Sequence, residues 1–176
     1  MLASSSGRQV LKDRPVLDYG PADLARFRAM PANTLGRAYF DFMARYGLDS
    51  GGRPPTRFVE SARGDSAELA YVMTRYRQSH DFYHVVLNKS ISIVDELAIK
   101  YYEHLQTGLP VGLVAALAGQ SRLSNSEYRE FWSVLVPWAH MAASSSSNDQ
   151  MLINVYWEKH IEDDVDQLRR SLNVFI

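Results

Sequence analysis

Residues 65–110, DSAELAYVMTRYRQSHDFYHVVLNKSISIVDELAIKYYEHLQTGLP, read as two consecutive helices separated by a short break. In the first, 66–87, Leu69, Met73, Tyr76, His80, His84 and Leu87 step by three or four. One stripe is therefore apolar through its first half and carries two imidazoles through its second, which places both rings on the buried side. Asp65 and Glu68 have the spacing of a capping box at its start. Asn88-Lys89-Ser90 then interrupts the period, and a second helix begins at Ser90 or Ser92, where Ser92 and Asp95 repeat that spacing. Its stripe is Ile93, Leu97, Tyr101 and Leu105, and Gly108 followed by Pro110 closes it as a helix C-terminus requires.

Working outward, residues 1–20 are polar and broken by Pro15, and the stretch from Asp49 to Pro55 is a dense turn signal. The first fifty residues are thus expected to supply one or two short helices, at 22–27 and 35–46. In the latter Leu35, Tyr39, Phe42 and Met43 share a face, Asn33 or Thr34 serves as cap, and Gly47 ends it. Beyond the central pair, the pattern predicts a buried helix at 111–117, one at 124–142 containing Pro137, and a last amphipathic one at 154–172. Ser144 to Ser147 with Asn148 reads as a flexible surface loop. No alternating strand pattern competes and no repeat is visible. The fold class expected is all-α, one compact helical domain over 21–176 preceded by a polar segment, 1–20.

A chain of 176 residues, 46% of them hydrophobic, can bury a core without disulfides or a structural metal. The formal net charge of -1 removes the positive field on which nonspecific nucleic-acid binding relies, so nucleic acid is not an expected partner. Zero cysteines exclude thiolate zinc sites, iron–sulfur ligation and a cysteine nucleophile, and leave nitrogen and oxygen as metal donors. The longest uncharged apolar stretch, 109–119, is far shorter than the roughly 20 residues of a spanning helix. The opening MLASSSGRQVLKDRP has neither the apolar core of a secretory signal nor the amphipathic length of a mitochondrial one.

All five histidines follow residue 79. His80 and His84, four apart on a helix, project from one face and converge well enough to share an ion. Glu96 is the next acidic group that matters. Twelve residues of uninterrupted helix would carry it about 18 Å from His84, so only a reversal at Asn88–Ser90 brings it back. Asp81 is rotated about 100° from His80, which makes it either a ligand at the edge of the helix face or an orienter of the histidine. Two imidazoles and two carboxylates suit zinc, with ferrous iron or manganese open. Spacing alone leaves interior hydrogen-bonded histidines as a rival reading. A histidine-aspartate hydrolase would need a further histidine upstream of residue 80, and a di-iron bundle a second acidic-x-x-His pair; neither exists. His104 reads as a helix-end cation, His140 and His160 as packing or surface residues, and Arg75 and Arg77 as solvated. No phosphate-cradling glycine loop or dinucleotide fingerprint is present.

The stretch from Ser79 to Pro110 closely resembles the signature of the mitochondrial coenzyme Q biosynthesis family Coq-four: His-Asp, two residues, His, eleven residues, Glu. His80, Asp81, His84 and Glu96 fill all four positions. The likeness extends through Leu35-Gly-Arg-Ala-Tyr39, Pro55-Thr-Arg-Phe58, Gln106-Thr-Gly-Leu-Pro110, Pro137-Trp-Ala139 and the Tyr156–Glu158 stretch, nearly the whole chain from Asp13. The resemblance implies an all-helical protein with Zn2+ held between two consecutive helices by those four residues, which are also its catalytic residues. It implies a carbon–carbon lyase removing the ring carboxylate of 4-hydroxy-3-methoxy-5-polyprenylbenzoate, giving the polyprenylphenol or, oxidatively, the hydroxylated ring. The implied setting is peripheral, on the matrix face of the mitochondrial inner membrane, among other coenzyme Q biosynthesis proteins, with room for a homo-oligomer. Against a typical eukaryotic member of that family, the sequence is expected to lack the long N-terminal extension with its transit peptide. An apolar path for the prenyl tail is expected from residues 109–117 with Phe131, Trp132 and Trp138. The alternative from another class is a scaffold that binds prenylated intermediates and assembles the other enzymes without catalysis.

Overall fold

The computed structural model describes residues 1–49 and 65–176. In these the chain folds as α1 (Ser5–Asp13), α2 (Pro21–Arg28), α3 (Leu35–Tyr46), α4 (Asp65–Val86), α5 (Ile93–Thr107), α6 (Pro110–Ala118), α7 (Asn125–Glu130), α8 (Val136–Ser144) and α9 (Val165–Ser171). No strand forms among the described residues. The turn following Asp49, the 55–58 block and the Asp65 cap lie outside the residues or side chains described.

The expected caps are where helix chemistry wants them. The Thr34 hydroxyl accepts from the Arg37 N–H, and Gly47 closes α3 at a left-handed φ of 61°. The Ser92 hydroxyl accepts from the Asp95 N–H at the head of α5, and Gly108, φ 71°, ends that helix. Asp95 does not complete a box with Ser92. Its carboxylate instead accepts from the Ser90 N–H and hydroxyl at 2.8 and 2.6 Å.

α5 runs through the middle, packed on α6 and α8, between two apolar clusters. The larger centres on a stack in which Tyr39 lies on Phe82 (centroids 4.5 Å, 14° between planes) and Phe82 on Trp157 (5.2 Å, 19°). The smaller gathers Val94, Leu97, Ala98, Ala116, Phe131 and Leu135.

Several expectations are corrected. Residues 1–20 are not merely a polar segment: the narrow stripe Gly7, Val10, Leu11 is buried, and three positions at helical spacing suffice to dock α1 although its other faces are polar. The helix expected at 154–172 forms only as α9. Leu152, Ile153, Asn154 and Val155 are buried in succession, which no helix with one apolar face can do. The segment instead supplies backbone to α3, whose free N-terminal donors Leu35 and Gly36 bond the Asp163 and Ile161 carbonyls at 2.9 and 2.8 Å. The 124–142 helix is divided by a π turn at Phe131–Leu135, just before Pro137. Proline cannot donate to the carbonyl four residues back and its ring clashes there, so the helix widens to accommodate it. α6 is not buried. Gly112 and Ala116 face inward, a Cβ at Gly112 would lie 2.5 Å from the Lys100 carbonyl oxygen, and the large residues Val111, Val114 and Leu117 face outward, Val114 with 62% of its surface exposed. The serine-rich 144–148 stretch is tied down: Ser145 Oγ donates to the Asn173 carbonyl, and Asp149 accepts from the Ser4 hydroxyl and the Ser5 N–H.

Arg75, expected in solvent, is fully buried. Its guanidinium grips Glu158 through both terminal nitrogens and also donates to the Val155 carbonyl at 3.0 Å, fastening the C-terminal segment to α4. Leu69, expected on the buried stripe, is 61% exposed, and Arg75 is the first residue along the described part of α4 to be buried. Removing one partner of a buried ion pair costs about 3–5 kcal/mol. Because Glu158 keeps some contact with water, Arg75→Met is expected at the lower end of that range in urea unfolding. A midpoint equal to the parent's would show that the pair is not structural.

Candidate metal centre

The break after α4 sets the site. Asn88 adopts a left-handed φ of 51°; its N–H bonds the Val85 carbonyl at 3.3 Å, and the Lys89 N–H bonds that of His84 at 2.9 Å. This is a Schellman closure with asparagine in the position glycine usually takes. The chain then doubles back, with Asp95 holding Ser90 in place, so that Glu96 in the opening turn of α5 reaches the two histidines of α4.

His80, His84 and Glu96 each offer a donor atom within 4.8 Å of the other two. His80 Nε2 stands 3.2 Å from His84 Nε2 and 3.3 Å from Glu96 Oε2, and His84 Nε2 lies 3.2 Å from Glu96 Oε1. Zinc–nitrogen bonds of about 2.0–2.1 Å in a tetrahedron put neighbouring donors about 3.3 Å apart, so this spacing fits a small divalent ion. The outer ring nitrogens agree. His84 Nδ1 lies 3.0 Å from the Ser90 carbonyl, which can only accept, and His80 Nδ1 lies 2.8 Å from Glu103 Oε1. Both protons are thereby drawn to Nδ1, leaving two Nε2 lone pairs aimed at each other. Such an arrangement is unfavourable unless a proton or a cation sits between them. Phe42 stacks on the His84 ring at 5.3 Å. The Glu96 side chain is 37% exposed and marks the open side.

Asp81 is buried one residue along α4, and its carboxylate is not among the converging atoms. The remaining histidines bond away from the site: His104 to the Leu109 carbonyl, His140 on α8 to the Tyr101 hydroxyl on α5, His160 to Asp163. The sequence reading missed Glu103, Lys100 and Tyr76, which surround the far side of His80. Glu96, Lys100 and Glu103 are spaced four and three apart, a charged stripe along one face of α5. That stripe was the available signal.

Burial opposes charging of His80, but hydrogen bonds to Glu103 and Glu96 outweigh it and raise its pKa above the ordinary histidine value. Burial likewise opposes ionisation of Glu96, and the hydrogen bonds and charge of His80 and His84 overcome it, holding the carboxyl well below the usual range. Glu103 is lowered in the same sense by His80 and Lys100 against its burial.

A family model described as coenzyme Q (ubiquinone) biosynthesis protein Coq4 matches residues 1–176. The chain belongs to the Coq4 family. It is 41% identical over 174 residues to the mitochondrial ubiquinone biosynthesis protein coq4 of Schizosaccharomyces pombe, covering 99% of this chain and 61% of that one. It is 40% identical over 175 residues to the mitochondrial COQ4 of Coprinopsis cinerea, covering 99% and 57%. This chain therefore spans about three-fifths of the length of these Coq4 relatives. A crystal structure from Nostoc punctiforme, provisionally described as a ubiquinone biosynthesis protein, shares the fold with a TM-score of 0.75 at 19% identity, over 99% of this chain and 77% of that one.

Since His80 is protonated more readily than an ordinary histidine in the metal-free chain, an incoming ion must displace that proton. Zn2+ affinity is expected to fall as pH is lowered from about 8 to about 6, by up to about tenfold per pH unit for each proton displaced. Chelator competition measures it; a pH-independent affinity would show that His80 is not a ligand.

Proposed function

We propose that this chain acts in coenzyme Q biosynthesis as a Zn2+-dependent carbon–carbon lyase, removing the ring carboxylate of 4-hydroxy-3-methoxy-5-polyprenylbenzoate, with His80, Asp81, His84 and Glu96 as its metal-holding and catalytic residues. The observation that carries the reading is the meeting of His80, His84 and Glu96 at tetrahedral-edge spacing on a site open at one side. Family membership supports the pathway. When bound, the ion supplies Lewis-acid polarisation to the carboxylate or ring oxygens of the substrate.

The chain's own groups do the rest. In the simple reaction a proton takes the place of the departing carbon dioxide on the ring carbon. His80 and His84 are anchored through Nδ1 and keep their donor geometry, whereas Glu96, on the open side, is free to yield a contact as substrate enters. Asp81, buried on the adjoining face of α4, is the fourth candidate ligand. Phe42 stacks on the His84 ring at 5.3 Å and limits its rotation.

The prenyl tail calls for an apolar route and a membrane-facing surface. Of the residues expected to provide it, Phe131 is buried in the smaller cluster, Trp138 stacks on Tyr102, and Trp132 is exposed, with its indole N–H donating to Gln120. Val111, Val114 and Leu117 form an outward apolar face on α6, beside the exposed Arg122. Large apolar residues with a flanking cation suit shallow attachment to an anionic bilayer, and no described helix is long and apolar enough to cross one. This supports peripheral attachment, which we assign to the matrix face of the inner mitochondrial membrane, among other coenzyme Q enzymes. Replacing Val114 and Leu117 together by glutamate should reduce co-sedimentation with cardiolipin-containing vesicles several-fold without changing the circular dichroism. Unchanged binding would exclude this face.

Donors drawn from two helices would also staple α4 to α5 in a scaffold that binds prenylated intermediates without turning them over. Metal analysis with a single-turnover assay on a short-tailed substrate separates the readings. For the enzyme, Glu96→Ala should cut carbon dioxide release by about a hundredfold or more while the variant still folds and assembles. No release from intact, zinc-loaded parent protein favours the scaffold.

A further inference from the structure

Glu103 lies two helical turns beyond Glu96 on α5, and its side chain is 1% exposed. A buried carboxylate is costly unless its lone pairs are filled, and here they are filled asymmetrically. Oε2 accepts from the Tyr76 hydroxyl and from Lys100 Nζ, the latter at 2.8 Å. Oε1 is left to face His80 Nδ1 at 2.8 Å. Lys100 Nζ also comes within 3.3 Å of that nitrogen, but an ammonium only donates, so the ring proton can be received only by Glu103. The two histidines are thus held differently, His84 by the backbone carbonyl of the reversal and His80 by a charged side chain from the opposite helix.

We propose that Glu103 is a positioning residue for the metal centre: it fixes His80 as the Nδ1–H tautomer with Nε2 aimed at the ion and strengthens that nitrogen as a donor, while Tyr76 and Lys100 hold the carboxylate on its line. This rests on the metal-binding reading above. Orienting partners of this kind change metal affinity by about 10- to 100-fold when replaced. They need not touch the ion.

The test uses the full chain with Zn2+, a competing chelator, and nitrogen-correlated NMR of the imidazoles. Glu103→Gln, nearly equal in size, should bind Zn2+ about 10- to 100-fold more weakly with little change in circular dichroism. In the zinc-loaded parent, His80 Nδ1–H should be a slowly exchanging, strongly downfield proton that moves upfield in the variant, while the His84 Nδ1–H resonance stays. A purely structural role for Glu103 would not move that single resonance selectively, whatever it did to the affinity. Equal affinity with an unmoved His80 proton overturns the assignment and leaves the metal reading intact. A parent chain that binds no ion overturns both. If Glu103→Gln fails to fold, the parent spectrum decides, because a His80 protonated on Nε2 rather than Nδ1 is incompatible with the proposal.

Discussion

The arrangement depends on a reversal of the chain over residues 87–92. Without it, Glu96 would continue along the axis of α4, about 18 Å from His84, and the histidines would share a face with nothing to meet. The left-handed Asn88 and the Asp95 clamp on Ser90 do more than turn the chain. They present the Ser90 carbonyl to His84 Nδ1, so the loop that brings the third donor close also orients the second.

Around this reversal the protein is polar where an all-helical core is ordinarily greasy. Tyr76, Ser79, His80, Tyr83 and Glu103 form a connected set, with the Ser79 hydroxyl bonded to Tyr83 and the Tyr76 hydroxyl to Glu103. Burial, reinforced by the charge of Glu103, raises the pKa values of Tyr76 and Tyr83 well above the ordinary tyrosine value, so both keep their hydroxyl protons; Tyr76 donates to Glu103 while Tyr83 accepts from Ser79. Beneath lies the Tyr39–Phe82–Trp157 stack, which occupies the other side of α4. Polar shell and aromatic floor restrict the histidine helix from two directions, as a site needing sub-ångström placement of donors requires.

Much of this was legible in the residues. The three-and-four spacing located α3, α4 and α5; Thr34, Gly47, Ser92 and Gly108 marked their ends; and the interruption at Asn88 predicted where the donors would converge. What escaped was burial that hydropathy cannot register. Arg75 and Glu103 look solvent-facing because each is charged, and the partner of Arg75 lies 83 residues away. α6 carries almost no polar residue, so its periodicity did not say which side is outward, and the small size of Gly112 and Ala116 decided it. Residues 152–155 are enclosed on all sides, a condition that mimics an apolar helix in sequence and is met by short tight turns in space.

The Arg75–Glu158 clamp bears on how the chain is made. Phe82, Val86 and Leu87 share one apolar cluster with Trp157, Ile161, Leu168 and Val174, so α4 cannot be enclosed until those last partners have emerged from the ribosome. During vectorial synthesis the aromatic floor on α4 therefore stays incomplete until Trp157 has followed it out, an interval in which holdase chaperones compete for the exposed rings.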